Sequence, residues 1–249
     1  MPENFLIDTS DIKPLNILCQ RMVESQESIA TNEIVDTLEE QALLEALLEK
    51  SKPNLPKAAL KLHYLLATPF RYPPLNWGSR FGVRNERGIF YGSLETRTLL
   101  HEVAYYTFLF LNGLHSPLPQ PLKTRHTQFS VVLQADRAVL LNNPKFDDIQ
   151  PRLRHLSDYT FTQQLGTHMR ALGVQAFLFY SARDQDNGLN AGVFDPSCFT
   201  GQEPRGEREW FCQVDQSADE VTFYCPATKQ SAQFSADLYR VNGVLPKPA

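Results

Sequence analysis

Two arginines, a tyrosine and a glutamate stand out for what they could do together. Arg71 and Arg80 lie in a stretch broken by Pro73-Pro74, Gly78 and Gly82. Tyr91 follows eleven positions after Arg80, and Glu102 eleven positions after that. A guanidinium in a tight loop suits bidentate binding of phosphate or carboxylate. A carboxylate on an apolar helix face needs a hydrogen-bonding or cationic partner if it is buried. With an aromatic ring between them, these groups suit an anionic ligand that carries a flat ring. Each residue taken singly also has a plain reading: Glu102 as a surface glutamate paired with Arg97, Arg80 as a brace for its own loop, Tyr91 as core.

A second cluster, Tyr180-Ser181-Ala182-Arg183-Asp184 followed by Gly188-Leu189-Asn190, places a serine just after an apolar run. Functional groups in α/β proteins commonly occupy such strand ends. No Gly-x-Ser-x-Gly elbow surrounds Ser181, which argues against a hydrolase nucleophile and for a serine that binds ligand oxygens; the plain reading is a turn serine capping its own backbone. The six histidines show no metal-ligand spacing. His101 and Glu102, adjacent on a helix, diverge by roughly 100° and form no dyad. Cys19, Cys198, Cys212 and Cys225 contain no C-x-x-C pair, so a metal site or disulfide is disfavoured against four reduced, buried thiols.

These groups need elements to hold them. Ser10-Asp11 followed by Ile12, Leu15, Leu18 and Met22 predicts a first helix, and Thr31-Asn32 a second through Leu48, whose leucine face would pack on the main domain or on a second copy. Pro53 and Pro56 break the chain. A helical piece over 57–66 precedes a loop over 71–82, a short strand over 88–92 and a long helix from Ser93 or Glu95 to Asn112. Strands are expected over 127–134 and 138–141 with a turn at Asp136-Arg137, then a loop over 143–155 and a helix over 158–172 stopped by Gly173. Strands over 174–180 and 191–194 flank an Asn187-Gly188 turn, and 209–214, 220–225 and 233–238 form a β-rich tail. The sum is an α+β fold: a helical annex over 1–56 and a main domain over 57–249.

Composition limits the function classes. The 249 residues carry 24 basic and 28 acidic side chains, a formal net charge of -4, which disfavours direct nucleic-acid binding. No apolar run approaches the roughly 20 residues that span a bilayer, so no membrane role is expected. The opening residues lack a basic region followed by an apolar one, so no signal peptide is expected, and a cytoplasmic location follows as the expectation.

The separated motifs together resemble the RES-domain family: Gly-Ser-Arg-Phe at 78–81, Phe-Tyr-Gly-Ser at 90–93, Leu-His-Glu-Val at 100–103, and the later Tyr180-Ser181-x-Arg183 with Gly188-x-Asn190. The resemblance covers roughly Leu65 to Phe199 and matches Arg80, Glu102 and Ser181 to the arginine, glutamate and serine of the family's name. It implies an ADP-ribosyltransferase-like mixed β core, and a toxin that degrades NAD+ by cleaving the nicotinamide–ribose bond, as an NAD+ phosphorylase or glycohydrolase. Phosphate would be a co-substrate in the first case and water the acceptor in the second; no cofactor is implied. The implied partner is an Xre-like helix-turn-helix antitoxin, and the leucine-rich N-terminal helix makes a homodimer a further expectation. On this resemblance Glu102 would stabilise charge at the reacting ribose carbon or hold the ribose hydroxyls. Arg80, with Arg71, would hold the diphosphate, and Tyr91 would stack on nicotinamide. Ser181 and Asn190 would orient nicotinamide or ribose, and Arg183 would bind phosphate or brace its loop. ADP-ribosyl transfer to another molecule, or nucleotide binding without turnover, are the alternatives.

Overall fold

The computed structural model describes residues 7–25, 35, 37–74, 76–116, 118 and 120–248. Its centre is an eight-stranded mixed sheet in the order β1-β2-β5-β4-β3-β6-β7-β8, with β1 also paired to β3. The strands are β1 (Ile12–Glu24), β2 (Phe90–Ser93), β3 (Leu122–Leu140), β4 (Ala176–Tyr180), β5 (Leu189–Val193), β6 (Arg205–Asp215), β7 (Glu220–Cys225) and β8 (Gln230–Ser235). Because β1 joins both β2 and β3, the first five strands in this order close on themselves and the last three extend from β3. Only β3 and β4 run parallel; the other pairs are antiparallel.

The first expected helix is a strand. β1 pairs with β3 at twelve positions, from Ile12–Val139 to Glu24–His126. Leu15, Ile17 and Cys19 alternate onto the core face with a period of two, while Leu18, which the helical spacing also counted as apolar face, is exposed. Pro14 falls where the register shifts between Lys13 and Leu15, the irregularity at which a strand tolerates a residue without an N–H. Residues 12–24 therefore belong to the central sheet. Thr31-Asn32 lie outside the described residues. The helix that follows, α1 (Leu38–Ser51), is capped by Thr37, whose side chain accepts from Glu40 N while Glu40 returns the bond. Leu43, Leu47 and Leu48 on it are solvent-exposed in this chain instead of packing on the sheet.

β3 runs straight through Asp136-Arg137, where a turn is expected from sequence. The Gln175 amide oxygen accepts from both backbone N–H groups, at 3.1 Å each, so the strand continues without leaving them unpaired. The expected 57–66 helix is a short 3-10 turn at Lys57–Ala59 followed by α2 (Tyr64–Arg71), and 143–155 holds a 3-10 segment and the single turn α4 (Gln150–Leu153). The long helix α3 (Thr96–Asn112) and α5 (Thr160–Ala171) fall where expected, with Gly173 in the left-handed region at φ +70°. The tail ends in β8 and a 3-10 turn, Ala236–Tyr239.

Two faces matter for the site. α3 packs Leu100, Ala104, Phe108 and Leu111 against Trp210, Val221 and Phe223 of the tail, and α5 packs Leu165 and Met169 with Phe177 and Phe179 of β4. β4 turns Phe177 and Phe179 toward α5 and Ala176 and Leu178 toward the core it shares with β1, β3 and β5, and Ser181 and Asn190 reach Glu102 of α3. All four cysteines are buried free thiols. No group of three or more potential metal ligands occurs among the described residues, and no helix there is long and apolar enough to cross a membrane.

Candidate functional site

Glu102 lies on α3 where the ends of β4 and β5 approach the helix. Ser181 is the first residue beyond β4, and Asn190 lies on β5 opposite Phe179. Ser181 Oγ donates to Glu102 Oε1 at 2.6 Å, and Asn190 Nδ2 donates to the same oxygen at 2.7 Å. Asn190 is oriented from behind: Ser93 Oγ on β2 donates to its Oδ1 at 2.7 Å, which turns the amide nitrogen toward the carboxylate. Oε2 has no hydrogen-bond partner among the described residues. The result is a half-buried carboxylate locked through one oxygen; Glu102 itself does not line the cleft described below, which its helix neighbour Tyr106 does.

Ser181 also fulfils its plain reading. Its Oγ accepts from Arg183 N and Asp184 N at 3.0 and 3.1 Å, so one hydroxyl closes the turn after β4 and holds Glu102. Asp184 pins that turn to α3, accepting from Thr98 Oγ1 at 2.8 Å and facing His101 Nε2 at 3.9 Å. His101 looks away from Glu102, with Nδ1 against the Tyr239 hydroxyl, and burial lowers its pKa despite Asp184. Arg97 pairs with Asp186, which leaves Glu102 to the Ser181 and Asn190 partnership.

The arginines divide. Arg80 and Arg183 converge on one phenol: each donates through Nη2 to the Tyr159 hydroxyl, at 3.4 and 3.2 Å. Arg80 Nη1 donates to the carbonyls of Leu153 and His155, and its guanidinium lies over the Tyr159 ring at 4.4 Å. Arg183 is almost fully buried, stacked at 3.5 Å on Tyr105 and bonded to the Leu156 carbonyl, while its Nη1 is buried without a hydrogen-bond partner. Arg71 is not with them. It ends α2, bonds to the Pro53 carbonyl at 2.8 Å and pairs with Glu49 of α1 at 2.5 Å, which ties that helix to the body.

Tyr91 lines a cleft of about 1230 Å³ together with Ser79, Tyr106 and Tyr159. Its hydroxyl joins Ser79 Oγ at 3.0 Å and accepts from Phe81 N at 3.0 Å, so it fastens the loop that carries Arg80 to the sheet. Burial pushes its pKa up to about 12. A phenol that keeps its proton in the folded state and loses it in the unfolded one at pH 10 makes stability fall as pH rises from about 10 to 12. Tyr91→Phe is expected to lower stability at pH 7 by about 1 kcal/mol, the loss of two neutral hydrogen bonds offset in part by a more apolar ring, and to flatten that alkaline decline. Thermal melts of both proteins from pH 8 to 11 test this.

Tyr159 and Tyr106 stand beside these groups without a role having been assigned to either from sequence. Tyr159 precedes an ordinary amphipathic helix, and its role appears only when residues 80 and 183 meet beside it. Tyr106 lies one turn along α3 from Glu102 and shares its face, a spacing that was readable. About half of the Tyr106 surface stays exposed; desolvation by the protein around its hydroxyl, together with Tyr159 and Glu102 nearby, raises its phenolic pKa.

A family model described as "RES domain" matches residues 55–215. No curated protein matches the chain. Among solved structures, the chain is similar to one in the M. tuberculosis MbcT–MbcA toxin–antitoxin complex, with 11% identity and a TM-score of 0.45 over 92% of this chain and 89% of that one.

Proposed function

Because the chain belongs to the RES domain family, we propose that it is a toxin-type enzyme that degrades NAD+ by cleaving the bond between nicotinamide and ribose. The observation that carries this reading is the Glu102 carboxylate, held through Oε1 by Ser181 and Asn190 while Oε2 has no hydrogen-bond partner among the described residues. When nicotinamide leaves, it takes the electron pair of the C–N bond and becomes neutral, and positive charge develops at the ribose carbon. A fixed, partly desolvated carboxylate stabilises that charge without having to reorganise. Phosphate or water then attacks the same carbon, giving ADP-ribose-1″-phosphate or ADP-ribose.

The remaining roles follow from position. Tyr91 and Tyr106 offer aromatic faces at the cleft for the pyridinium ring, whose charge favours such a face. Arg80 and Arg183 hold Tyr159 and the backbone at 153–156, and their paired charges favour a bound diphosphate nearby. The exposed aromatic rim of the cleft, Trp77, Tyr106 and Phe110, is where a proteinaceous antitoxin of the Xre-like helix-turn-helix type would cover the site in the cytoplasm.

The test is product analysis. Purified protein incubated with NAD+ is expected to release nicotinamide, with mass spectrometry resolving ADP-ribose-1″-phosphate if phosphate is required and ADP-ribose if it is not. Intact NAD+ after prolonged incubation in both buffers refutes the reading. Labelled ADP-ribose remaining on a protein target would instead identify a transferase.

A further inference from the structure

The strand that lies outside the matched family segment brings its own cation to the cleft. β1 and β2 share the register pair Gln20–Ser93 and then part. Arg21, the next residue on β1, fills the opening: its Nη1 donates to the Tyr91 carbonyl at 3.2 Å, and its guanidinium lies 4.9 Å from the centroid of the Phe90 ring. These contacts hold the head group in the wall of the cleft that Tyr91, Ser79 and Tyr106 also line. Arg21 Nε is buried with no hydrogen-bond partner in the structure, and Nη2 has none among the described residues. Burial brings the pKa down to about 10, which leaves the group charged at neutral pH.

A buried cation with unspent donors is unfavourable unless an acceptor completes it. Arg80 and Arg183 have donors committed to backbone carbonyls and to Tyr159, and Arg71 is engaged with Glu49; Arg183 Nη1 is likewise buried without a partner, but of these four arginines Arg21 is the one that lines the cleft. Glu24, Glu207 and Glu209 also line this cleft; they disfavour a ligand that is anionic along its whole length and suit one with a single charged segment flanked by hydroxyls.

We infer that Arg21 is a binding residue for the diphosphate of a nucleoside diphosphate ligand, the place of the second cation that the sequence suggested for Arg71 beside Arg80. This rests on the reading of the cleft as an NAD+ site. An arginine fork meets phosphate oxygens through two donors at once, and Nε with Nη2 form such a fork on the side away from Tyr91.

The test uses the full chain with Arg21→Gln, which retains an amide donor for the Tyr91 carbonyl, and Arg21→Lys. Titration calorimetry with ADP as probe is run beside NAD+ kinetics. Arg21→Gln is expected to weaken ADP about tenfold and to raise KM for NAD+ about tenfold with kcat within twofold, the pattern of lost uniform binding; Arg21→Lys is expected to recover roughly half of this on a logarithmic scale. A folded Arg21→Gln with unchanged ADP affinity and KM overturns the inference, as does a loss confined to kcat. If Arg21→Gln does not fold, an Arg21→Lys protein with wild-type ADP affinity and KM overturns it equally. ADP binding that depends on Arg21 in a protein that leaves NAD+ intact would refute the catalytic reading and keep this one.

Discussion

Glu102→Gln is expected to lower NAD+ turnover by about two to three orders of magnitude and to leave the fold intact. Glutamine keeps an oxygen where Oε1 stands, so Ser181 and Asn190 retain their acceptor at 2.6 and 2.7 Å; what disappears is the negative charge. If the charge stabilises a cationic ribose in the transition state, its removal costs what loss of a preorganised electrostatic partner costs elsewhere, about 10²–10³ in kcat. KM should move little, because the ground-state ribose carries no such charge. Alanine is a poorer probe of the same point. It leaves the buried Ser181 hydroxyl and Asn190 amide without their acceptor, at about 1–3 kcal/mol for each unpaired group, and mixes lost stability with lost chemistry. Steady-state nicotinamide release, with a thermal melt as control, measures the effect. A Glu102→Gln enzyme within tenfold of wild type would remove Glu102 from the chemistry.

Gly166→Ala is expected to be a strongly damaging single-methyl change near the site. Gly166 lies on α5 where the helix rests on the backbone of the Arg80 loop, and a Cβ there would lie 1.9 Å from the Phe81 carbonyl oxygen and 2.8 Å from its carbon. Neither side can yield cheaply. The obstacle is main chain, and α5 is held by Leu165 and Met169 in the β4 core. The expected cost is about 3 kcal/mol, the upper end for forced overpacking, or roughly 6–12 °C in Tm for a chain of this size. Displacing Phe81 also moves Arg80 and breaks the Phe81 N–H bond to Tyr91, so residual folded enzyme should show raised KM for NAD+. Gly201→Ala is the control: a Cβ there meets nothing closer than 3.8 Å, and its melt should match wild type. Equal melts for both variants would mean that α5 is free to shift against the loop.

The two halves of the site differ in how they could be read. Glu102 on a long apolar helix, Ser181 at the end of an apolar run, and Asn190 after an Asn-Gly turn are all local patterns; the first two lie where expected, while Asn190, expected just before a strand over 191–194, lies within β5, which begins at Leu189. Their meeting is also visible in outline, since a buried strand end beside an amphipathic helix is a recurrent arrangement. Which of them touch is a different matter. Arg71 and Arg80 look alike in sequence, both near Pro or Gly, yet one reaches Glu49 on α1 and the other the carbonyls before Tyr159. A guanidinium finds partners several ångströms from its own backbone, and local spacing carries no information on which chain segment lies there.

The same limit explains the N-terminal segment and the cleft. Ile12, Leu15, Leu18 and Met22 satisfy a helical spacing, while Leu15, Ile17 and Cys19 satisfy a strand; twelve partners on β3, more than a hundred residues away in sequence, decide for the strand. That decision also moves Arg21 from the surface of a presumed helix to the wall of the cleft. What the sequence by itself determined is the set of short-range elements, the chemical types at their ends and, through the spacing of Arg80, Glu102 and Ser181, the family. Tertiary structure alone decided that residues 12–24 close the sheet, that β3 passes unbroken beside Gln175, and that Tyr159 joins two arginines. Propensity and capping act within a few residues, whereas strand partners and buried charges are selected by whichever distant group removes an unpaired donor from solvent.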